Sequence, residues 1–252
     1  MLISFLSNTY NQLNNIKKLL LMRRYSSEIE KEKKKLRNYL IINTGKTPKE
    51  DLGINCLPLL SKYDENSDIA LMYMSLILKL DSTNELIIDY CDTWKLITEK
   101  NLLSMFYNSY YYRKELGICS YIISDIKYFI DMIISITWYL KNSRNLNIKV
   151  SSIGEYINKN KDPSFDDYDQ FIPFMKLTND ISNAYKHSVS NIVKNIIGKY
   201  EPCILAKYSK HNKDISHPKI ILIPLSEYIN NFQYFYNYSK SKISKLSIEN
   251  SN

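Results

Sequence analysis

Glycine and proline are scarce in this sequence, with 5 Gly and 7 Pro in 252 residues. A β-sandwich or β-barrel needs a turn roughly every eight to twelve residues, and such turns depend on these two residue types. The scarcity therefore argues against a many-stranded fold and favours long helices. Ile, Tyr and Asn are abundant but are not strong helix formers, so the prediction of fold class rests on hydrophobic periodicity.

Cysteine and histidine are also rare. The four cysteines lie far apart in the chain: Cys56, Cys91, Cys119 and Cys203. No two of them form a Cys-x-x-Cys pair, so a reducing compartment is the simplest inference and we expect a cytoplasmic protein. His211 and His217 follow Cys203, but their spacing matches no zinc pattern. We therefore expect no metal site and no cofactor.

The charge balance is basic, with a formal net charge of +8 and a pI of about 9.0. A basic protein attracts polyanions, so the charge favours RNA or an anionic membrane surface as a partner. Codon usage offers a second explanation, because the enriched Lys, Asn, Ile and Tyr are all encoded by A/T-rich codons. Composition alone does not separate the two.

Residues 1–42 are predicted to form a separate N-terminal helical segment. The first 27 residues contain no acidic side chain and combine apolar residues with four basic ones. This composition is typical of a mitochondrial presequence, and residues 23–27, Arg-Arg-Tyr-Ser-Ser, resemble a matrix cleavage site. An ordinary amphipathic helix fits the same residues. The mitochondrial matrix therefore stays as an alternative to the cytoplasm.

Residues 59–240 are predicted to form one helical bundle domain with a small C-terminal β-hairpin and a terminal helix, so the fold class is mainly α. The pattern predicts long helices at 64–80, 83–100, 118–140 and 171–197, a short helix near 153–158, and strands at 203–208 and 219–223. The last helix is predicted to begin near Ser226 and to fray from residue 240.

Residues 118–140 form the most apolar run and are long enough to cross a bilayer. Asp125, Lys127 and Asp131 would then lie near the bilayer centre at considerable cost. Polar residues also recur every three or four positions from 120 to 135, which predicts one polar stripe along a helix of a soluble bundle. We therefore predict no transmembrane segment.

One polar constellation stands out in the helix predicted at 171–197. Asn179, Asn183 and His187 are spaced four residues apart, so all three share one helix face, with Asp180 and Lys186 flanking it. Polar groups are thus concentrated on a helix that must also pack. These residues are the candidates for chemistry, with His187 and Asn183 as the predicted catalytic pair.

This segment resembles the last-helix motif of HEPN-like proteins, four-helix bundles in which a polar residue and a histidine, often Arg followed four to six residues later by His, line a cleft. The resemblance covers about residues 64–197. It implies a homodimer in which two motifs meet, and metal-independent RNA cleavage in nuclease members. His187 would be the acid/base, because imidazole titrates near neutral pH, and Asn183 and Asn179 would orient the phosphate. No Arg lies four to six residues before His187, and the available cation is Lys186, so nuclease activity stays open.

A second candidate surface is aromatic and basic. Tyr111 and Arg113 belong to a run of tyrosines that is followed by Lys114. Bases stack on aromatic rings and phosphates pair with cations, so these residues, together with Asn179 and Lys186, are the predicted nucleic-acid contacts. Tyrosines that pack at a helix end would give the same pattern.

The sequence thus favours a HEPN-like RNA-binding protein, with ribonuclease activity in toxin or phage defence left open. The string Asn-Ala-Tyr-Lys-His is also similar to a group of uncharacterised bacterial proteins, which implies no activity. Two alternatives remain: a mitochondrial interaction or assembly protein without catalysis, and a structural adaptor. In the adaptor, His187 and Asn183 would serve only to satisfy hydrogen bonds of the fold.

Overall fold

Five α-helices, a short 3-10 helix (Asp169–Phe171) and a two-stranded sheet are the regular elements of the described part of the chain. The computed structural model describes residues 67–99, 109–142, 145, 147–159, 162–187, 203–208 and 219–249. The helices are α1 (Ser67–Glu99), α2 (Ser109–Lys141), α3 (Ile153–Asn158), α4 (Ile172–His187) and α5 (Leu225–Glu249), and the strands are β1 (Cys203–Tyr208) and β2 (Lys219–Pro224). This confirms the predicted mainly α fold. The predicted N-terminal segment, 1–42, lies outside the described residues.

α1 and α2 run antiparallel beside each other. The hydroxyls of Ser75 and Tyr128 lie 3.3 Å apart, and the Lys114 ammonium donates to Asp89 at 2.7 Å. Residues early in α1 therefore face residues late in α2, and the reverse holds at the other end. This pairing places one side of each helix in the core and leaves a second side of each exposed beside the shared seam.

α1 is continuous from Ser67 to Glu99. The break predicted between residues 80 and 83 is therefore wrong. The Thr83 hydroxyl donates to the Lys79 carbonyl at 2.7 Å, so it bonds within the helix instead of capping a new one. Leu80, Thr83 and Ile87 are all buried. Burial of this face holds the helix together across polar residues that would favour a break in isolation.

α2 is the central helix of the core and contacts α1, α3, α4 and α5. Its buried side is rich in isoleucine: Ile122, Ile123, Ile126, Ile130, Ile133 and Ile134. Phe129 meets Phe232 of α5 edge to face, with ring centroids 5.3 Å apart. Each such side chain contributes about 1.5–3 kcal/mol when fully buried. Burial therefore explains why a sequence rich in β-branched residues forms long helices here.

β1 and β2 form an antiparallel hairpin in which Leu205 lies opposite Leu222. The pairs alternate between two faces, as the period of two in a strand requires. Ile204 and Ile223 lie on the buried face, whereas Ile220 and Leu222 are exposed. β1 contacts α4 and β2 contacts α5. The predicted hairpin is confirmed, and its buried face closes one side of the bundle.

A buried carboxylate holds the segment that leads into α4. Asp167 is 3% exposed at its side chain and accepts from the ammonium groups of Lys141 on α2 and Lys242 on α5. The Tyr238 hydroxyl of α5 also donates to the Asp167 carbonyl at 3.0 Å. Burial raises the pKa of Asp167, but the two lysines outweigh it, so the pKa lies below its usual value. One side chain therefore joins three parts of the chain.

Two tyrosines reinforce the same segment. The Tyr156 hydroxyl of α3 donates to Asp169 at 2.8 Å and accepts the backbone N–H of Tyr168 at 2.7 Å. The hydroxyls of Tyr168 and Thr137 on α2 lie 2.6 Å apart. Burial raises the pKa of Tyr156 and of Tyr168. These phenols act as neutral hydrogen-bonding groups inside an otherwise apolar region.

α3 begins at a cap that uses the polar stripe of α2. Ser152 is the N-cap and accepts from the Glu155 N–H, while Glu155 accepts from the backbone and hydroxyl of Ser151. The Ile153 N–H donates to Asp131 of α2 at 2.7 Å. The predicted stripe is therefore not only a solvated face, because part of it anchors a neighbouring element.

Two helices are longer than predicted. α2 begins at Ser109, before the predicted start at residue 118. α5 continues to Glu249, beyond the predicted fraying at residue 240, because Ile243 and Leu246 are buried and extend its packing face. The described part of α4 ends at His187, and residues 188–197 of the predicted helix lie outside the described residues. Within the described residues, no helix has the length and apolarity needed to cross a membrane.

Candidate functional site

A pocket with a volume of about 300 Å³ opens between α1, α2 and α4. The residues that line it are Lys79 of α1, Ser124, Asp125, Lys127, Tyr128 and Asp131 of α2, and Lys186 of α4. Three lysines from three different helices thus meet in one concave site. With two aspartates opposing the three lysines, the lining carries a net charge of +1.

Lys79 forms one wall of the pocket through two contacts with α2. Its ammonium lies 2.7 Å from an oxygen of Asp125, whose side chain is largely buried. The same ammonium sits 5.6 Å from the centroid of the Tyr128 ring, within the range of a cation–π contact. These contacts fix the position of the cation and hold the ring beside it.

Lys127 and Asp131 form a second charged pair in the lining. They are four residues apart on α2, and the ammonium lies 2.6 Å from one carboxylate oxygen. The other oxygen of Asp131 accepts the Ile153 N–H that begins α3. Both oxygens of this carboxylate therefore have donors, and Lys127 is held in place at the pocket edge.

Lys186 reaches the pocket from the C-terminal end of the described part of α4. It is exposed, and among the described residues no carboxylate forms an ion pair with it. Its cationic charge is therefore the least neutralised of the three. The sequence predicts Lys186 as a nucleic-acid contact, and the structure places it in this pocket beside two lysines that sequence reasoning missed.

Two other predicted residues of α4, Asn179 and Asn183, lie near Lys186 and are not among the described residues that line the pocket. The side chain of His187 lies outside the described part of the structure. Asn179 and Asn183 are half-buried, and their spacing of seven and three residues from Lys186 puts them on the same side of the helix. His187 is the last described residue of α4, adjacent to Lys186 in sequence. Burial raises the pKa of Asp180, against the lowering effect of Lys219 and Lys176.

The structure also bears on the missing arginine. Three positions lie four to six residues before His187, and two of them, Ile181 and Ser182, are buried in the core. Among the described residues, the hydroxyl of Ser182 has no hydrogen-bond partner. A long cation at either position would have to enter the core, whereas the third position, Asn183, is half-buried.

Tyr111 and Arg113 lie in the first turns of α2, and their side chains are outside the described part of the structure. Lys114, which follows them, is paired with Asp89 of α1. Along α2, Tyr111 and Arg113 precede the pocket residues, the first of which is Ser124.

Sequence reasoning missed four charged residues of the pocket. Lys127 and Asp131 carry a detectable signal, because a Lys and an Asp four residues apart on a helix form a favourable pair. Lys79 and Asp125 carry none, since their contact depends on how α1 packs against α2. Among the described residues, no group of three or more His, Cys, Asp or Glu side chains is placed to hold a metal ion.

Comparisons with known proteins give no further guide to this site. No protein-family model matches the sequence, and no curated protein and no solved structure is significantly similar to it. The chemistry of the site must therefore be argued from its own residues.

Proposed function

We propose that this chain is a HEPN-like RNA-binding protein and that the pocket between α1, α2 and α4 contacts the RNA phosphates. The single observation that supports the proposal is the convergence of Lys79, Lys127 and Lys186 from three helices on one concave site. Lysine is a common phosphate ligand, and three ammonium groups in a pocket attract an anion more strongly than the same charges scattered over a surface.

The two lysines that pair with aspartates can still donate hydrogen bonds to a phosphate. An ammonium group has three N–H donors and no acceptor. Lys79 uses a donor on Asp125, and Lys127 uses a donor on Asp131. Each can therefore donate a further hydrogen bond to a phosphate oxygen without losing its aspartate. Lys186 supplies the charge that neither aspartate neutralises.

The aspartates limit how strongly an isolated anion binds, because a carboxylate repels a phosphate at short range. A polyanion is less affected, since the whole chain carries a net charge of +8 that attracts it over a longer distance. RNA fits this balance better than a free phosphate does. The basic composition and the pocket point to the same class of ligand.

His187 is the residue on which RNA cleavage would depend. It follows Lys186 directly, and imidazole is suited to proton transfer near neutral pH. In the resembled family, an arginine steadies the phosphate charge. Here Lys186 would take that role, as a point charge without the bidentate geometry of arginine. Binding is therefore the core of the proposal, and cleavage is its second, separable part.

The binding part is tested with Lys186→Gln, measured by fluorescence anisotropy of a labelled mixed-sequence RNA over a series of salt concentrations. We expect weaker binding and a salt dependence reduced by about 0.7–1 in the slope of log K against log salt, as for one lost phosphate contact. Lys176→Gln is the matched control, because it removes the same charge from an exposed site on α4 outside the pocket. Equal effects of the two variants would contradict the pocket as the binding site.

The cleavage part is tested with cellular RNA in the presence of a chelator. Cleavage by the wild-type protein that is lost in His187→Ala would establish a metal-independent nuclease. RNA that stays intact with both proteins, while Lys186→Gln still weakens binding, would limit the function to RNA binding. If neither cleavage nor salt-sensitive binding is found, the RNA proposal fails and the adaptor and assembly-protein alternatives remain.

A further inference from the structure

Two tyrosines lie exposed on the strip of α2 that also lines the pocket. Tyr121, Ser124, Tyr128 and Asp131 are spaced by three and four residues, so they form one face of the helix, which we call the exposed α2 strip. Tyr121 is 63% exposed and Tyr128 is 40% exposed. The strip thus leads out of the pocket, with an aromatic ring at Tyr128 and another two turns away at Tyr121.

The ring of Tyr128 is held in a fixed orientation. Its hydroxyl lies 3.3 Å from that of Ser75, and the Lys79 ammonium lies near its face. Both partners belong to α1, so the ring is held between two helices. A fixed ring loses little conformational freedom when a ligand stacks on it. Tyr121, seven residues earlier, is displaced by about 10.5 Å along the helix axis.

We propose that the exposed α2 strip is a track for single-stranded RNA, with bases stacking on Tyr121 and Tyr128 while the pocket lysines contact the backbone. This inference rests on the proposed RNA binding and adds the class of RNA. In a duplex, the base faces are already stacked inside the helix and cannot reach a tyrosine ring. A single strand can turn its bases outward onto aromatic side chains.

Charge favours RNA over a protein partner as the occupant. The strip ends in a pocket with three lysines, and among the described residues no carboxylate forms an ion pair with Lys186. Aromatic rings on which bases can stack, beside cations that can pair with phosphates, are the combination that single-strand binding uses. Two leucines seven residues apart on α1, Leu71 and Leu78, are also exposed. They support the rival interpretation, in which this part of the surface is a protein interface.

The test compares a short single-stranded RNA with the duplex that it forms with its complement, again by fluorescence anisotropy. We expect the wild-type protein to prefer the single strand. Tyr121→Ala should weaken its binding by about 5-fold or more, the lower end of the effect of losing one stacked base. Tyr121→Phe should bind like the wild type, and Tyr121→Leu should bind like Tyr121→Ala, because leucine keeps apolar area but has no flat ring.

Tyr234→Ala is the matched control, because Tyr234 is 71% exposed on α5, which does not line the pocket. If Tyr121→Ala weakens binding no more than Tyr234→Ala, or if the duplex binds as tightly as the single strand, the inference is overturned. The variant Lys186→Gln distinguishes failure of the stacking track from failure of RNA binding itself. A loss of affinity in Lys186→Gln alone refutes the stacking track and leaves RNA binding intact, whereas no loss in either variant refutes both.

Sedimentation velocity on the same variants tests the protein interface. We expect Tyr121→Ala to leave the oligomeric state of the protein unchanged. If the wild-type protein is a dimer, Tyr121→Ala is a monomer, and RNA affinity is the same for both, then the strip binds a second copy of this chain and the single-strand proposal is wrong.

Discussion

Replacement of Asp167 by asparagine is the sharpest test of how this fold is held together. The side chain is 3% exposed and bridges Lys141 of α2 and Lys242 of α5. Asp167→Asn keeps the shape of the residue and removes its charge. Both lysines then lose the charge of this buried carboxylate, Lys141 keeps only the exposed Asp166, and one of the two lysines donates to an amide oxygen in place of a carboxylate.

The expected cost follows from the burial of the three groups. A hydrogen bond to a charged group contributes about 1.5–3 kcal/mol, and the loss of one partner of a fully buried ion pair costs about 3–5 kcal/mol. The two lysines are partly exposed, at 37% and 26% of their side-chain surface, so water can solvate them in the variant. We therefore expect Asp167→Asn to lower the free energy of unfolding by about 2–4 kcal/mol.

Thermal unfolding followed by circular dichroism measures the effect, and a loss of this size should lower Tm by about 5–10 °C. Asp166→Asn is the matched control. Asp166 is 70% exposed and lies 3.7 Å from the same Lys141, so its loss should cost less than about 0.5 kcal/mol. Equal Tm values for the two variants would refute the reasoning, because burial of the carboxylate would then contribute nothing.

The same site predicts how the stability of the protein changes with pH, and the direction of the change follows from the pKa of Asp167. The lysines hold the pKa of Asp167 below its usual value despite burial, and the unfolded-state pKa is about 3.9. The stabilisation that the Asp167 carboxylate contributes is therefore fully present above the pKa of the unfolded state. It is lost as pH falls through the pKa of the folded state. The stability difference between the wild type and Asp167→Asn should be constant from about pH 7 to about pH 5 and shrink below about pH 4. A difference that grows on acidification would contradict this sign.

Two further substitutions test the elements around Asp167. Tyr156→Phe should lower the free energy of unfolding by about 1–3 kcal/mol, because the backbone N–H of Tyr168 would stay buried without its acceptor. Urea unfolding measures this loss. The control variant Tyr234→Phe, at an exposed site, should show no change. Ser152→Ala should cost about 1 kcal/mol through loss of the α3 N-cap. Ser152→Gly should cost only a few tenths, and the reverse order of the two variants would show that the cap does not act as described.

Much of the fold could be predicted from the sequence, because the predictions depended on local patterns. The hairpin strands and the short helix α3 were placed correctly, since turn residues and alternating burial are local signals. The break predicted before Thr83 was wrong for the opposite reason. Its polar residues favour a helix end locally, but packing of α1 against α2 overrides them.

The candidate site was less predictable, because most of it is formed by contacts between helices. Lys186 could be identified from the polar face of one helix, and it does line the pocket. Lys79 lies 46 residues before Asp125, and no spacing rule connects them. Tyr111 and Arg113 were grouped with Lys186 by chemical analogy alone, and their side chains lie outside the described part of the structure.

α2 shows why a polar stripe on a helix can be read in two ways. Its buried face is isoleucine-rich and central to the core, so substitutions there should unfold the protein. Its opposite face uses Ser135 and Asp131 to hold α3, and Lys127 and Tyr128 to line the pocket. A stripe that served only to solvate the helix would need no contacts with other elements. Because these side chains contact α1 and α3 and meet Lys186 of α4 at the pocket, the stripe fixes a site, and its exposed tyrosines are the positions where binding can be changed without loss of the fold.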